Sequence, residues 1–242
     1  MADYQKALSI DPDSKDAGFA IAEIFEEQGD TSAALAAYSG VLKKHDDEDD
    51  VYVNLIASLT KVLKKDSSNL KYTQARQDAL DQFIKRVDAQ PNATSWYNLG
   101  FVYSDMGRSE EAMAAYRKAI ELSPEKMQAH FNLAYLYETS GRWPEARQEY
   151  EKTIALDHSN EEAYYNLGNV YAQLKMNQRA IASYQKTINL NPNHLNALVN
   201  LSILCFQEKD FENAIKYCDQ AMLLGYDAPA GYLSALEAYR KK

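Results

Sequence analysis

Five asparagines each stand one residue ahead of a leucine: Asn54, Asn98, Asn132, Asn166 and Asn200. The last four are 34 residues apart, and the first lies 44 before the second. A side-chain amide carries two N–H donors and an acceptor, so it can hydrogen-bond a peptide bond on both sides. Five such amides at one register can follow an extended backbone without reading its side chains. The competing reading is that each amide bonds a neighbouring helix and is structural. Rings accompany the amides. The residues just before them include Tyr97, Phe131 and Tyr165, with Val53 and Val199 in the same register and Phe19 one unit earlier. Three residues after them come Ala57, Phe101, Tyr135, Asn169 and Ile203, with Glu23 in the same register of the first unit. These rings read as surplus to the packing positions, and a cluster of exposed aromatics marks a binding surface. The alternative is that several are buried against an adjacent pair of helices.

Other chemistries find less support. The four histidines are His45, His130, His158 and His194. No two share a helix at metal-ligand spacing, so no metal or cofactor is expected. There is no glycine-rich phosphate loop and no serine or cysteine nucleophile with a partner. We therefore expect no catalytic residues and no enzyme activity in this chain. Cys205 and Cys218 take positions that hold facing tyrosines elsewhere, Tyr103 and Tyr116 or Tyr137 and Tyr150. They should meet inside one helical pair. Small buried thiols are the default reading; a disulfide would require an oxidising compartment. A cytoplasmic setting is the expectation.

The elements that carry these residues recur. Residues 94–124 read as two amphipathic helices joined at Gly107–Arg108–Ser109. The pattern returns at 128–158 and again at 162–192. Matching residues are Trp96, Leu99, Gly100, Tyr103, Ala112, Tyr116, Ala119 and Pro124, then His130, Leu133, Ala134, Tyr137, Ala146, Tyr150, Thr153 and His158. The third set is Tyr164, Leu167, Gly168, Tyr171, Ala180, Tyr184, Thr187 and Pro192. Two helices per 34 residues is the signature of a stacked repeat. On these residues the chain closely resembles the tetratricopeptide (TPR) family. The resemblance implies an all-α, right-handed superhelical solenoid of helix-turn-helix repeats. It also implies that first helices line a concave groove, which places the asparagines and rings there. The asparagine pattern resembles the ladder of the O-GlcNAc transferase superhelix.

On that template we read a half repeat at 1–14, then a TPR at 15–48. An irregular TPR with a ten-residue insertion follows at 49–92. Three regular TPRs span 93–126, 127–160 and 161–194. A degenerate TPR at 195–228 and a capping helix at 229–242 complete the chain. The chain opens in mid-repeat, which suggests a piece of a longer protein whose targeting signals lie elsewhere. In 15–48, Ile21, Ala22, Phe25, Ala34 and Tyr38 hold core positions. Gly18 stands where a large residue is usual, so that hairpin should pack more loosely. The extra ten residues fall around Lys64–Thr73 and either lengthen both helices or form a longer loop. They bring no obvious core residue beyond Leu70 and Tyr72, and the stretch is expected to be dispensable.

Charge is uneven. Residues 1–50 hold 13 acids and 4 bases, while residues 51–242 hold 22 of each. An acidic end argues against nucleic acid, which needs a basic footprint, and suits a basic partner; the plainer alternative is a solvated charged surface. No apolar run reaches the ~18 residues of a membrane span, so no direct membrane insertion is expected. Family members that clamp an acidic C-terminal tail use lysines and arginines on three successive first helices. Here Tyr97, Phe131, Tyr165, Glu162 or Asn196 stand in those places, so that clamp is not expected. Near the N-terminal end the groove offers Glu23, Glu26 and Glu27, with Lys61 as the one base placed on it. The resulting expectation is a non-catalytic scaffold or adaptor that binds a neutral-to-basic peptide segment or partner helix. Its contacts would be Asn54, Asn98, Asn132, Asn166, Asn200, Tyr97, Phe101, Phe131, Tyr135 and Tyr165. Alternatives are the substrate-recognition arm of a larger enzyme, such as a glycosyltransferase, and a self-assembling scaffold.

Overall fold

A computed structural model describes residues 14–240. Of the half repeat expected at 1–14 only Ser14 falls among them, and Lys241 and Lys242 lie outside. The described residues form thirteen α-helices and no strand. The fold is all-α, as the period implies. The chain divides into two compact units, the first ending at Pro124 and the second starting at Glu125.

The first unit holds α1 (Lys15–Glu27), α2 (Thr31–Lys44), α3 (Asp49–Lys65), α4 (Leu70–Ala89), α5 (Ala93–Asp105) and α6 (Ser109–Leu122). Its hairpins are α1–α2, α3–α4 and α5–α6, with α3 also packed on α1 and α5. The second unit holds α7 (Met127–Thr139), α8 (Trp143–Leu156), α9 (Glu161–Gln173), α10 (Asn177–Leu190), α11 (Leu195–Gln207), α12 (Phe211–Leu223) and α13 (Ala230–Arg240). Its hairpins are α7–α8, α9–α10 and α11–α12; α8 packs on α9, α10 on α11, and α13 on α12.

Local chemistry sets the ends of the helices. Asp30, Asn92 and Asn160 cap α2, α5 and α9 by accepting a backbone N–H three residues on, at 3.0, 2.9 and 2.9 Å. Such a cap satisfies a donor that the first turn leaves free. Every hairpin turn except that of α3–α4 places one residue in the left-handed region. Glycine supplies it at Gly29, Gly107 and Gly141, with φ of 76, 75 and 72°. Lys175 and Lys209 take the same place in α9–α10 and α11–α12 at φ 61 and 65°. The helices of a pair then approach closely. A Cβ added at Gly100 would lie 2.7 Å from the Tyr116 ring, and one at Gly168 would lie 2.5 Å from the Tyr184 ring. The tyrosine fills the space where a side chain would otherwise stand.

Two expectations for the first unit are corrected. Gly18 does not loosen its hairpin, because Val41 of α2 occupies the space and would collide with an added Cβ. Leu70 is no core residue: it opens α4 and is 81% exposed. Tyr72, two residues on, is 3% exposed. It joins a cluster with Ala22, Tyr38, Leu55, Leu59 and Phe83 and hydrogen-bonds Thr31. The stretch around Lys64–Thr73 thus contributes to packing, and the ground for calling it dispensable falls away. The extra residues lengthen both helices, to 17 and 20 residues in α3 and α4.

The acidic run before α3 has internal partners. Glu48 is its N-cap, and Asp49 and Asp50 lie in its first turn, where the helix dipole favours negative charge. Asp49 accepts from Arg86 at 2.9 Å and from the Ser95 hydroxyl at 2.5 Å, which joins α3 to α4 and α5. Lys15 bonds Glu48 and also Asp50, the latter at 2.8 Å. Part of the N-terminal negative charge is therefore used to fasten helices together.

Candidate functional site

The site is built around tyrosines that the asparagine register does not contain. Tyr38, Tyr116, Tyr150 and Tyr184, one on each of α2, α6, α8 and α10, are fully buried. Each meets a ring of its own hairpin: Phe19, Tyr97, Phe131 and Tyr165, with centroids 5.9, 5.7, 5.7 and 5.9 Å apart. Phe19, Tyr97, Phe131 and Tyr165 are consequently half-buried. They are not surplus to packing, which corrects that expectation.

The buried hydroxyls need partners, because an unpaired polar group in a core costs roughly 1–3 kcal/mol. Tyr38 donates to Glu26 at 2.7 Å, Tyr150 to Glu138 at 2.6 Å and Tyr184 to Asn169 at 2.7 Å. Burial, reinforced by the carboxylate beside them, raises the Tyr38 and Tyr150 hydroxyl pKa values. Burial likewise raises the Glu26 and Glu138 carboxyls above their ordinary range, with the tyrosine bond opposing it. The asparagines enter here. Asn166 hydrogen-bonds Tyr150, and Asn200 donates to Tyr184 at 3.3 Å and to Asn169 at 3.3 Å. These two amides each tie a first helix to the tyrosine of the preceding hairpin. Asn98, Asn132, Asn166 and Asn200 are half-buried and Asn54 is exposed.

Three of the residues three places further on are exposed, while Ala57 and Asn169 are half-buried. Phe101 is 45% exposed, Tyr135 51% and Ile203 38%. Beside them, neighbouring first helices leave recesses. In the first unit Asp16, Phe19, Glu23, Asn54 and Ser58 line a space of about 300 Å³ between α1 and α3. Next to it Glu23, Glu26 and Glu27 share a smaller recess with Lys61 and Lys65; Lys61 is therefore not the one base there. In the second unit Asn169, Gln173, Tyr184, Asn200 and Ile203 line about 260 Å³ between α9 and α11.

Three other features complete the inventory. His130, where Trp96 and Tyr164 stand in other hairpins, is 3% exposed and bonds Glu149 of α8. Burial raises the Glu149 carboxyl, but His130 and Lys152 outweigh it and leave the pKa lowered. Cys205 and Cys218 are buried free thiols, and burial pushes Cys205 up to about 11. A thiol held that high is a poor nucleophile. Between α10 and α12, Gln185, Asn189, Lys216, Tyr217 and Gln220 border a recess of about 350 Å³ on the second helices. Sequence reasoning missed it, since it followed first helices alone. Among the described residues no helix is long and apolar enough to cross a membrane.

Family models match most of this architecture. The tetratricopeptide repeat models cover 1–59, 93–126, 115–148, 161–194 and 195–224, and a TPR repeat model covers 139–175. The chain is a tetratricopeptide-repeat protein. No curated protein matches it. Among solved structures, this TPR chain is similar to MamA at 26% identity and a TM-score of 0.58, over 64% of its own length and 91% of MamA. It is similar to YrrB, described as a TPR protein with an unusual peptide-binding site, at 22% identity and 0.50, over 81% and 95%. The C-terminal part of a TPR repeat-containing protein from Cytophaga hutchinsonii aligns at 17% identity and 0.60, over 85% and 78%. The last two likenesses show the TPR fold alone.

Proposed function

We propose that this TPR chain is a non-catalytic scaffold that holds an extended peptide segment, or a partner helix, against its first helices. The observation that carries the reading is the exposure of Phe101 and Tyr135, at 45% and 51%. Fully burying one such side chain is worth roughly 1.5–3 kcal/mol, so a partner that covers either of them gains much of what folding leaves unused. In the first unit half-buried Tyr97 shares α5 with Phe101 and Asn98, with Asn54 on α3; in the second, half-buried Phe131 shares α7 with Tyr135 and Asn132, with Tyr165 and Asn166 on α9 and Asn200 on α11. Two of those amides also serve Tyr150 and Tyr184, so they contribute less to a ligand than a free ladder would. YrrB, a TPR protein described as having a peptide-binding site, is consistent with this use of the fold.

The preferred segment is neutral to basic. Asp16 and Glu23 border the α1–α3 recess next to Phe19, a setting that suits a cation; contact with the ring adds about 0.5–2 kcal/mol. Lys61 and Lys65 offset Glu26 and Glu27 next door, which limits the preference to the α1–α3 recess. The test is a peptide-array screen followed by solution titration with a Phe101→Ala/Tyr135→Ala double variant. Neutral-to-basic peptides should bind the wild type, and the double variant should lose about tenfold or more in affinity with its melting temperature unchanged. Normal binding by the double variant, or a best-binding set that is acidic, would overturn the proposal.

A further inference from the structure

We infer that the recess between α9 and α11 is a carboxamide subsite, which selects an asparagine or glutamine side chain in the bound segment. The inference rests on the first-helix binding surface proposed above and adds a chemical preference to it.

The recess exists because of one residue. Asn169 stands where Tyr135, one period earlier, and Ile203, one period later, present large side chains. Its floor and walls include Tyr184, Ile203 and Leu204, and its polar groups are Asn169, Asn200 and, at the exposed rim, Gln173. The hydrogen bonds fix how the two amides are used. The Asn169 oxygen accepts from the Tyr184 hydroxyl at 2.7 Å and from Asn200 Nδ2 at 3.3 Å. Asn200 Nδ2 is also shared with the Tyr184 oxygen at 3.3 Å. Among the described residues nothing is bonded to the Asn169 Nδ2 donors or to the Asn200 oxygen. The recess therefore presents a fixed N–H donor and a fixed acceptor side by side over an apolar floor.

A primary amide is the group that answers both, since its carbonyl accepts and its N–H₂ donates. A carboxylate has no donor for the Asn200 oxygen. An ammonium has no acceptor for Asn169 Nδ2. An alkyl side chain leaves both unpaired. No other hairpin offers this combination, because Phe101, Tyr135, Ala57, Glu23 and Ile203 hold the equivalent place.

The test uses the whole chain and an array of neutral nine-residue peptides in which each position in turn is Gln, Glu, Lys or Leu. For the wild type, one position should favour Gln about tenfold over the other three, the factor expected for one hydrogen-bonded pair left unmade. The informative variant is Asn169→Asp. It keeps the oxygen that holds Tyr184 and Asn200, so it should fold, but it replaces the N–H₂ by a second acceptor. The preference at that position should move from Gln to Lys while the rest of the profile stays put. Binding with no Gln-preferring position, or a Gln preference unchanged in Asn169→Asp, overturns the subsite and leaves the binding surface standing. Failure of every peptide to bind overturns both. In the wild type, the Asn169 side-chain ¹⁵N–H₂ signal should shift on saturation with the best Gln peptide and hold still with its Leu counterpart; no shift with either contradicts the assignment.

Discussion

At Tyr150 and Tyr184 a single hydroxyl serves two neighbouring hairpins. Each is buried, each donates to a polar side chain of its own hairpin, and each receives an asparagine from the next. The asparagine register was legible in the sequence because it repeats; its partner was not, because the tyrosine lies on another helix and reads as plain core. The same arrangement predicts a pH effect. Burial raises the Glu138 carboxyl, so Glu138 takes a proton more readily in the folded state than in the unfolded one. The stability it contributes is full below the unfolded pKa, about 4.3, and is lost as pH rises through the raised value. Glu138→Gln keeps an oxygen for the Tyr150 hydroxyl and removes that loss. The variant's melting temperature relative to wild type should therefore rise between pH 4 and pH 7. A difference that is flat or falls across that range would show that the carboxylate bears no burial cost.

The helices themselves were the most readable level. Small residues at Gly100, Ala134 and Gly168, leucines at Leu99, Leu133 and Leu167, and tyrosines at Tyr116, Tyr150 and Tyr184 recur at one period and fix which faces meet. Sequence reasoning was weaker wherever a neighbour compensates. Val41 fills the place of the side chain missing at Gly18, and nothing in a one-dimensional pattern announces that. Leu70 looked like core by its type, yet its place in the first turn of α4 turns it to solvent. The left-handed turn residues give one prediction. An L-residue there costs about 1–2 kcal/mol, of which glycine's extra unfolded-state freedom takes back about half. Lys175→Gly and Lys209→Gly together should raise stability by about 1 kcal/mol in denaturant titration; a loss would mean that the lysine side chains make contacts worth more than the strain. The long pair α3–α4 gives another. Replacing residues 64–73 by a short turn removes Tyr72 and its bond to Thr31, and large-to-small changes of this kind cost about 3–5 kcal/mol. Circular dichroism should show the first unit melting earlier; an unchanged melt would restore the view that the stretch is a spare loop.

On the scale of the molecule, each of the two units repeats one plan: second helices supply buried tyrosines whose rings meet half-buried rings of the first helices. The acidic N-terminal region, which in the sequence suggested a basic partner, turns out to spend Asp49 on Arg86 and Ser95, and Glu48 and Asp50 on Lys15. The partner surface proposed above lies on the first helices. The most direct measurement is amide hydrogen exchange of the whole chain with and without the tightest peptide from the array. Peptide binding should slow exchange on first helices, around Phe101 in α5 of the first unit or around Tyr135 and Tyr165 in α7 and α9 of the second, and leave α6, α8 and α10 unchanged. Protection confined to the second helices, for instance beside the recess lined by Gln185, Lys216 and Gln220, would contradict the assignment of the first helices as the binding surface.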